Sequence, residues 1–138
     1  MPIYAVVDTN VIVSSLLTKN GNSPTVRIMD EILSGRIIPV YNTAILKEYN
    51  DVLSRPKFGF STDQIDSLLF FIFHYGLLID PMPTNVNLPD KKDIPFFEVV
   101  MEKKKEDNAY LVTGNIKHFP ILPFIVTPSE MILILDAM

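Results

Sequence analysis

Several carboxylate side chains fall where the sequence predicts that strands end and helices begin. Asp8 directly follows a short apolar run, Glu48 lies within a predicted helix, and Asp90 and Asp93 stand just before another predicted helix. If the fold brings these groups together, their mutual repulsion requires a cation to offset it. Carboxylate oxygens and water are the ligands that Mg²⁺ and Mn²⁺ prefer, so the pattern suggests a divalent-metal site.

Each of these carboxylates also has a simpler structural interpretation when it is considered alone. Asp8 and its neighbours Thr9 and Asn10 are all good helix caps, and for Asp8 alone capping is at least as probable as catalysis. Glu48 alone is better explained as a solvated helix residue, and acids are favourable at a helix start in any case. A catalytic role for these residues therefore requires that several acidic groups converge in the fold.

Short, uniformly apolar segments predict the strands that would position these groups. They cover residues 3–7, 37–41, 77–79, 109–113 and 124–126. Apolar runs without alternation are typical of strands buried on both faces of a parallel sheet. Ligand sites in such sheets collect at the carboxyl ends of the strands, which is where Asp8 and the turn from Thr113 to Asn115 fall.

Capping signals between these segments predict the helices. A helix is expected from Pro24 to about Gly35, and another after Asn42 or Thr43. The remaining helices are predicted by Ser61 with Gln64, by Pro95, and by the sequence Thr127-Pro128-Ser129-Glu130. The alternation predicts an α/β protein in which a central parallel β-sheet is flanked by helices on both faces, a three-layer α/β/α arrangement.

The composition of the chain excludes several kinds of functional site and several classes of protein. The 138 residues suit one domain covering 1–138, and the absence of cysteine excludes disulfides, thiol nucleophiles and cysteine-based zinc sites. No apolar run reaches the ~20 residues of a membrane helix and no secretory leader is present, so we expect a cytoplasmic protein without a membrane partner. The formal charge of −4 argues against tight nucleic-acid binding by charge alone.

Six segments, in their order and spacing, resemble the PIN-domain family. They are Val6-Val7-Asp8-Thr9-Asn10-Val11, Ile45-Leu46-Lys47-Glu48-Tyr49, Leu53-Ser54-Arg55-Pro56-Lys57-Phe58, residues 90–97, Tyr110-Leu111-Val112-Thr113-Gly114-Asn115, and Val126-Thr127-Pro128-Ser129-Glu130. Each motif alone is weak, but their ordered combination over nearly the whole chain is specific. The closest resemblance is to the branch formed by toxin components of toxin-antitoxin systems, the VapC-like ribonucleases.

The resemblance implies an acidic pocket that uses Mg²⁺ or Mn²⁺. Its catalytic residues and metal ligands would be Asp8, Glu48 and Asp93, with Asn115 as a further metal ligand. Thr9, Asn10 and Thr113 would support the ligands by hydrogen bonds. The implied reaction is hydrolysis of a phosphodiester bond by a metal-activated water, in which Glu48 binds the metal or deprotonates the water.

Asn115 departs from the family pattern, because many PIN domains carry an acid at the corresponding position. An amide oxygen can coordinate a cation but brings no negative charge, so a second metal ion is expected to bind less tightly. The sequence leaves open whether one or two ions act. Asp90 is a candidate substitute, although a solvated loop role explains it better, and His118 is expected to have a loop role.

The leading hypothesis is an endoribonuclease that hydrolyses RNA. It would be the toxin of a toxin-antitoxin pair and would bind an antitoxin protein. The alternative is a non-catalytic PIN-like module that binds RNA or a partner protein. A phosphoryl-accepting receiver domain fits poorly, because Asp8 is followed by Thr9 and Asn10 rather than by a second acid.

Charged and aromatic residues predict two further surfaces. Basic residues could line a path for RNA phosphates, whereas Lys103, Lys104 and Lys105 are expected on an exposed helix face. The path would use Arg55, Lys57, Lys91, Lys92 and Lys117. The helix through residues 68–75 is expected to bury Phe73, but it has too many aromatics for one buried stripe, so we predict dimer formation or antitoxin binding there. His74 is expected in the core or at that interface.

Overall fold

The computed structural model describes residues 2–138, which form five β-strands and six α-helices. The strands are β1 (Ile3–Val7), β2 (Ile37–Tyr41), β3 (Leu77–Leu78), β4 (Ala109–Val112) and β5 (Ile125–Val126). The helices are α1 (Thr9–Leu17), α2 (Pro24–Leu33), α3 (Thr43–Leu53), α4 (Thr62–Tyr75), α5 (Ile94–Lys103) and α6 (Pro128–Asp136). Short 3-10 turns cover Pro56–Phe58, Lys91–Asp93 and Ile116–His118.

The five strands form one parallel sheet in the order β3-β2-β1-β4-β5. The chain leaves β1 toward β2 and β3, and later returns to add β4 on the other side of β1. The connections therefore diverge between β1 and β4, which creates a crevice at the carboxyl ends of these two strands. Because Val7 is paired with Val112, the next residues, Asp8 and Thr113, lie side by side at this crevice.

Helices cover both faces of the sheet, as the sequence predicted. Helices α2 and α6 contact each other, with α2 against β2 and α6 against β5. Helix α5 contacts β1, β4 and β2, and it also contacts α3, which in turn packs against α4. Most residues of β1, β2, β4 and β5 are buried between these layers, whereas Leu78 of the edge strand β3 is exposed.

The local signals in the sequence place most elements correctly. Strands β1 and β2 have their predicted limits, and the other three strands are each one residue shorter than predicted. Asn42 caps α3 by accepting a hydrogen bond from the Ile45 amide, and both predicted capping boxes are present. Helix α1, by contrast, was not assigned from the sequence. Within residues 2–138, no helix combines the length and apolar character that crossing a membrane requires.

Lys103 is a correction to the expected exposed lysine face. Its side chain is buried, with 5% of the residue exposed, and Nζ donates a 2.7 Å hydrogen bond to Asp107. Nζ also lies 4.1 Å from the centroid of the Tyr4 ring. A lysine can be buried in this way because its apolar stem packs in the interior while its ammonium group keeps polar and aromatic partners.

Helix α4 supplies a further correction. Phe73, which was expected in the core, is 60% exposed. His74 is also exposed, with its ring stacked on Phe70, so of its two expected positions the core is excluded and the interface stays a prediction. The buried positions of α4 are Ile65 and Ile72, seven residues apart on one face, and each helical residue turns about 100° from the one before it. Phe73 is therefore directed away from the core, which gives α4 the outward aromatic side that the sequence predicted.

Candidate active site

An open cleft of about 770 Å³ lies at the carboxyl ends of β1 and β4. The predicted site residues Asp8, Glu48, Asp93 and Asn115 all line it, although they come from four separate parts of the chain. Its other lining residues are Thr9, Asn10, Val13, Ser14, Leu17, Thr18, Val52, Arg55, Phe58, Asp90, Lys92 and His118. The fold thus brings the proposed ligands to one place.

Asp8 forms the floor of the cleft and is only 6% exposed. It occupies the N-cap position of α1, but its side chain makes no capping hydrogen bond, so capping does not explain this carboxylate. Thr113 Oγ1 donates a 2.7 Å hydrogen bond to Asp8 Oδ2, and Asn10 Nδ2 donates a longer one of 3.3 Å to the same oxygen. Both side-chain donors thus reach Oδ2 of Asp8, and neither reaches Oδ1.

Burial raises the pKa of the Asp8 carboxyl above its ordinary value, because the charged form loses hydration. The hydrogen bond from Thr113 acts in the opposite direction, and the negative charge of Asp93 raises the pKa further. Without a metal ion, the ionised form of Asp8 is therefore destabilised in the folded protein.

One hydrogen bond from a backbone amide orders the loop after β4 internally, and a second joins this loop to the residues after β1. The Asn115 amide donates to Thr113 Oγ1 at 3.0 Å, and the Gly114 amide donates to Asn10 Oδ1 at 3.1 Å. A Cβ at position 114 would lie 3.3 Å from Asn10 Oδ1, a tight contact that favours glycine there. Thr113 and Asn10 thus contact both the Asp8 carboxylate and the loop that carries Asn115.

Asp93 enters the cleft from the 3-10 turn Lys91–Asp93. Asp90 caps this turn by accepting a 2.9 Å hydrogen bond from the Lys92 amide, which explains Asp90 as a loop residue at the cleft wall. His118 Nδ1 donates a 3.1 Å hydrogen bond to Asp93 Oδ2, leaving Oδ1 for a cation. Burial raises the pKa of Asp93, the bond from His118 opposes this shift, and the charge of Asp90 adds to it.

His118 does more than occupy the loop in which the sequence predicts it. The imidazole belongs to the 3-10 turn Ile116–His118 and its hydrogen bond orients the Asp93 carboxylate. The signal that could have identified it is its position three residues beyond Asn115, on the loop that follows β4.

Glu48 is half-buried on α3, and its neighbour Tyr49 anchors that helix to the sheet. The Tyr49 side chain is buried and its hydroxyl donates a hydrogen bond to the Val7 carbonyl, at the end of β1. Burial raises the pKa of Glu48, while the positive charges of Lys92 and Arg55 act against this shift. Of the predicted basic residues, these two line the cleft.

The side chains present fit a hydrated Mg²⁺ or Mn²⁺ ion rather than a fully protein-enclosed one. Among residues 2–138, no three Asp, Glu or His side chains converge closely enough to form a ready-made metal cage. Mg²⁺ usually keeps several waters and takes one or two carboxylates, a demand that Asp8 and Asp93 can meet. The buried Thr9 Oγ1, beside the cleft, has no hydrogen-bond partner within the described part of the chain and could bind such a water.

Comparison with known proteins agrees with the fold and with the acidic cleft. The PIN domain family matches residues 4–117, a range that is more than half of the chain and contains all four predicted metal ligands. The chain is also similar to the uncharacterized protein MJ1680 of Methanocaldococcus jannaschii, at 29% identity over 147 residues that cover 94% of this chain and 90% of that protein. PIN domains are generally nucleases and typically use divalent metals. The chain belongs to the PIN-domain family.

Proposed function

We propose that the protein is a metal-dependent endoribonuclease that hydrolyses phosphodiester bonds in RNA. The observation that carries this proposal is the convergence of Asp8, Glu48 and Asp93 on one open cleft, where burial raises the pKa of each carboxyl. Such an arrangement destabilises the metal-free protein at neutral pH, and a bound Mg²⁺ or Mn²⁺ ion would relieve it.

In this proposal each side chain has a distinct role. Asp8 and Asp93 would hold the ion, while Thr113 and His118 keep these carboxylates oriented by hydrogen bonds to their Oδ2 atoms. When bound, the ion would supply a more acidic water and stabilisation of charge on the phosphoryl oxygens. Glu48 would bind the ion or accept a proton from the attacking water.

Arg55 and Lys92 give the cleft its affinity for the RNA backbone. Both lie at a cleft whose other charged groups are mostly carboxylates, and the whole chain carries a formal charge of −4. Binding should therefore be modest without a divalent ion, because protein side chains neutralise only a few phosphates. It should also weaken as the salt concentration increases, since these contacts are electrostatic.

The test is cleavage of a labelled RNA, and of a DNA of the same sequence, in Mg²⁺ or Mn²⁺ and in chelator. We expect internal cleavage of the RNA by the wild type, and loss of cleavage in Asp8→Asn and Asp93→Asn. Asp63→Asn is a matched control, because Asp63 is an exposed acid in the first turn of α4 outside the cleft. RNA binding without metal-dependent cleavage would favour the non-catalytic alternative, and cleavage by Asp8→Asn at the wild-type rate would contradict the proposed ligand set.

We further propose that this nuclease is the toxin of a toxin-antitoxin pair and forms a homodimer. The motif resemblance supports the toxin role, and the aromatic side of α4 supplies an apolar surface for the antitoxin or a second copy. Phe70, Phe73 and Tyr75 are each more than half exposed there. Induced expression should arrest growth of a bacterial host, and Asp8→Asn should relieve the arrest at equal protein level. Equal arrest by both forms would contradict a toxic nuclease activity.

A further inference from the structure

Two aromatic rings form a stacked pair at the rim of the cleft. Phe58 and Phe60 lie with their ring centroids 5.7 Å apart and their planes only 16° from parallel. Phe60 packs against the hydrophobic core, whereas Phe58 is half-buried, does not belong to that core and lines the cleft. The inner ring is thus fixed by packing, and the outer ring is presented to the cleft.

The backbone around this pair is also well defined. Phe58 ends the 3-10 turn Pro56–Phe58, and Gly59 has a φ of 69°, a left-handed conformation that glycine adopts without strain. This conformation reverses the chain between the two aromatic residues. The stacked pair of Phe58 and Phe60 is therefore part of the connection between α3 and α4.

Positive charge accompanies the aromatic surface. Arg55 lines the same cleft, and Lys57 Nζ lies over the Phe58 ring, 5.1 Å from its centroid. Lys57 is exposed, so its flexible side chain can leave the ring and contact a phosphate group instead. An aromatic face with flanking cations is the combination with which proteins bind single-stranded nucleic acid.

We propose that Phe58, supported by Phe60, is a stacking subsite for one unpaired nucleobase of the strand that occupies the cleft. This inference rests on the proposed nuclease function. The base stacks on the Phe58 ring, while Arg55 and Lys57 contact phosphate groups next to that base. A base held inside a duplex cannot present its face to a protein ring, so the subsite selects unpaired segments and tolerates any base identity.

The chain contains no tryptophan, so a single introduced indole can report on this subsite. In Phe58→Trp, binding of a short single-stranded RNA in chelator, where no cleavage occurs, should quench the indole fluorescence. Phe73→Trp is the matched control, because Phe73 is an exposed aromatic on α4 that does not line the cleft. We expect no quenching in this control, and no quenching of Phe58→Trp by a fully paired RNA duplex.

Affinity measurements complete the test. Phe58→Ala should weaken binding of the single strand by about fivefold to a hundredfold, Phe58→Trp should retain it, and Phe73→Ala should bind like the wild type. Replacing one nucleotide at a time by an abasic unit should reveal a single position whose loss weakens wild-type binding but not binding by Phe58→Ala. Circular dichroism and thermal melting verify that each variant is folded.

Equal affinity of folded Phe58→Ala and wild type, or equal quenching of the two tryptophan variants, would overturn the subsite. These binding results do not depend on catalysis. A wild type that binds the strand through Phe58 but never cleaves it in Mg²⁺ or Mn²⁺ would instead contradict the nuclease proposal and leave the subsite standing.

Discussion

The hydroxyl of Thr113 donates a 2.7 Å hydrogen bond to the carboxylate of Asp8, joining the ends of two adjacent strands. Both groups are buried, and the Thr113 oxygen also accepts the amide hydrogen of Asn115. This contact follows from the parallel pairing of β1 with β4, which places residues 8 and 113 next to each other. The position of the Asp8 carboxylate at the floor of the cleft is thus set by the register between β1 and β4.

Thr113→Val should therefore weaken metal binding while preserving the shape of the side chain. The substitution removes the donor that orients Asp8 and leaves the Asn115 amide without its acceptor. We expect metal affinity to fall about tenfold or more, and the free energy of unfolding to fall by about 1–3 kcal/mol. Thr113→Ser, which keeps the hydroxyl, is the control for calorimetry and denaturant unfolding. Equal metal affinity in the valine and serine variants would show that the hydrogen bond from Thr113 does not affect metal binding.

Asp8→Asn should make the metal-free protein more stable at neutral pH. The pKa of Asp8 is raised in the folded state, so folding favours the protonated carboxyl. The resulting penalty is complete above the folded pKa and disappears as the pH falls below the unfolded value of about 3.9. In chelator, the melting temperature of the variant should exceed that of the wild type at pH 7, and the difference should shrink toward pH 4. A difference in melting temperature that stays constant from pH 7 to pH 4 would contradict a raised pKa of Asp8.

Asn115→Asp should tighten binding of a second metal ion. The substitution adds a negative charge at the cleft wall, where it partly offsets the repulsion between two cations. Calorimetric titration with Mn²⁺ should show tighter binding at the second site, and cleavage should reach half its maximum at a lower metal concentration. The cleaved RNA bonds should not change, because their choice depends on contacts elsewhere. Identical metal dependence in both proteins would place Asn115 outside the metal shell.

The aromatic side of α4 should mediate association. Replacing both Phe70 and Phe73 by serine removes two side chains that are more than half exposed, so the fold should lose little stability. Sedimentation should show association of the wild type at micromolar concentration and a monomeric double variant. A strictly monomeric wild type that also binds no antitoxin would leave this surface without the proposed role.

Local signals in the sequence were enough to predict the sheet and most helices. Buried parallel strands are uniformly apolar, as in β1 and β2, and the residues Ser61 and Thr127 mark their helices through side-chain caps. These signals are local, so they can be recognised without knowledge of the tertiary structure. The same reasoning placed Asp8 at the end of β1.

Contacts between distant segments could not be predicted in this way. The bond between His118 and Asp93 joins two loops 25 residues apart. In the sequence, Phe58 is recognisable only as the last residue of one family-like segment. The burial of Lys103 depends on its contacts with Tyr4 and Asp107, which a run of three lysines does not indicate. Such roles depend on how loops and side chains pack in three dimensions.

The most direct test of the central claim is calorimetric titration of Mn²⁺ into the wild type, Asp8→Asn, Asp93→Asn and the control Asp63→Asn at neutral pH. We expect saturable binding by the wild type and by the control, and binding at least tenfold weaker when either cleft carboxylate is replaced. Undetectable binding by the wild type, or equal affinity in all four proteins, would contradict the claim that Asp8 and Asp93 hold the metal ion.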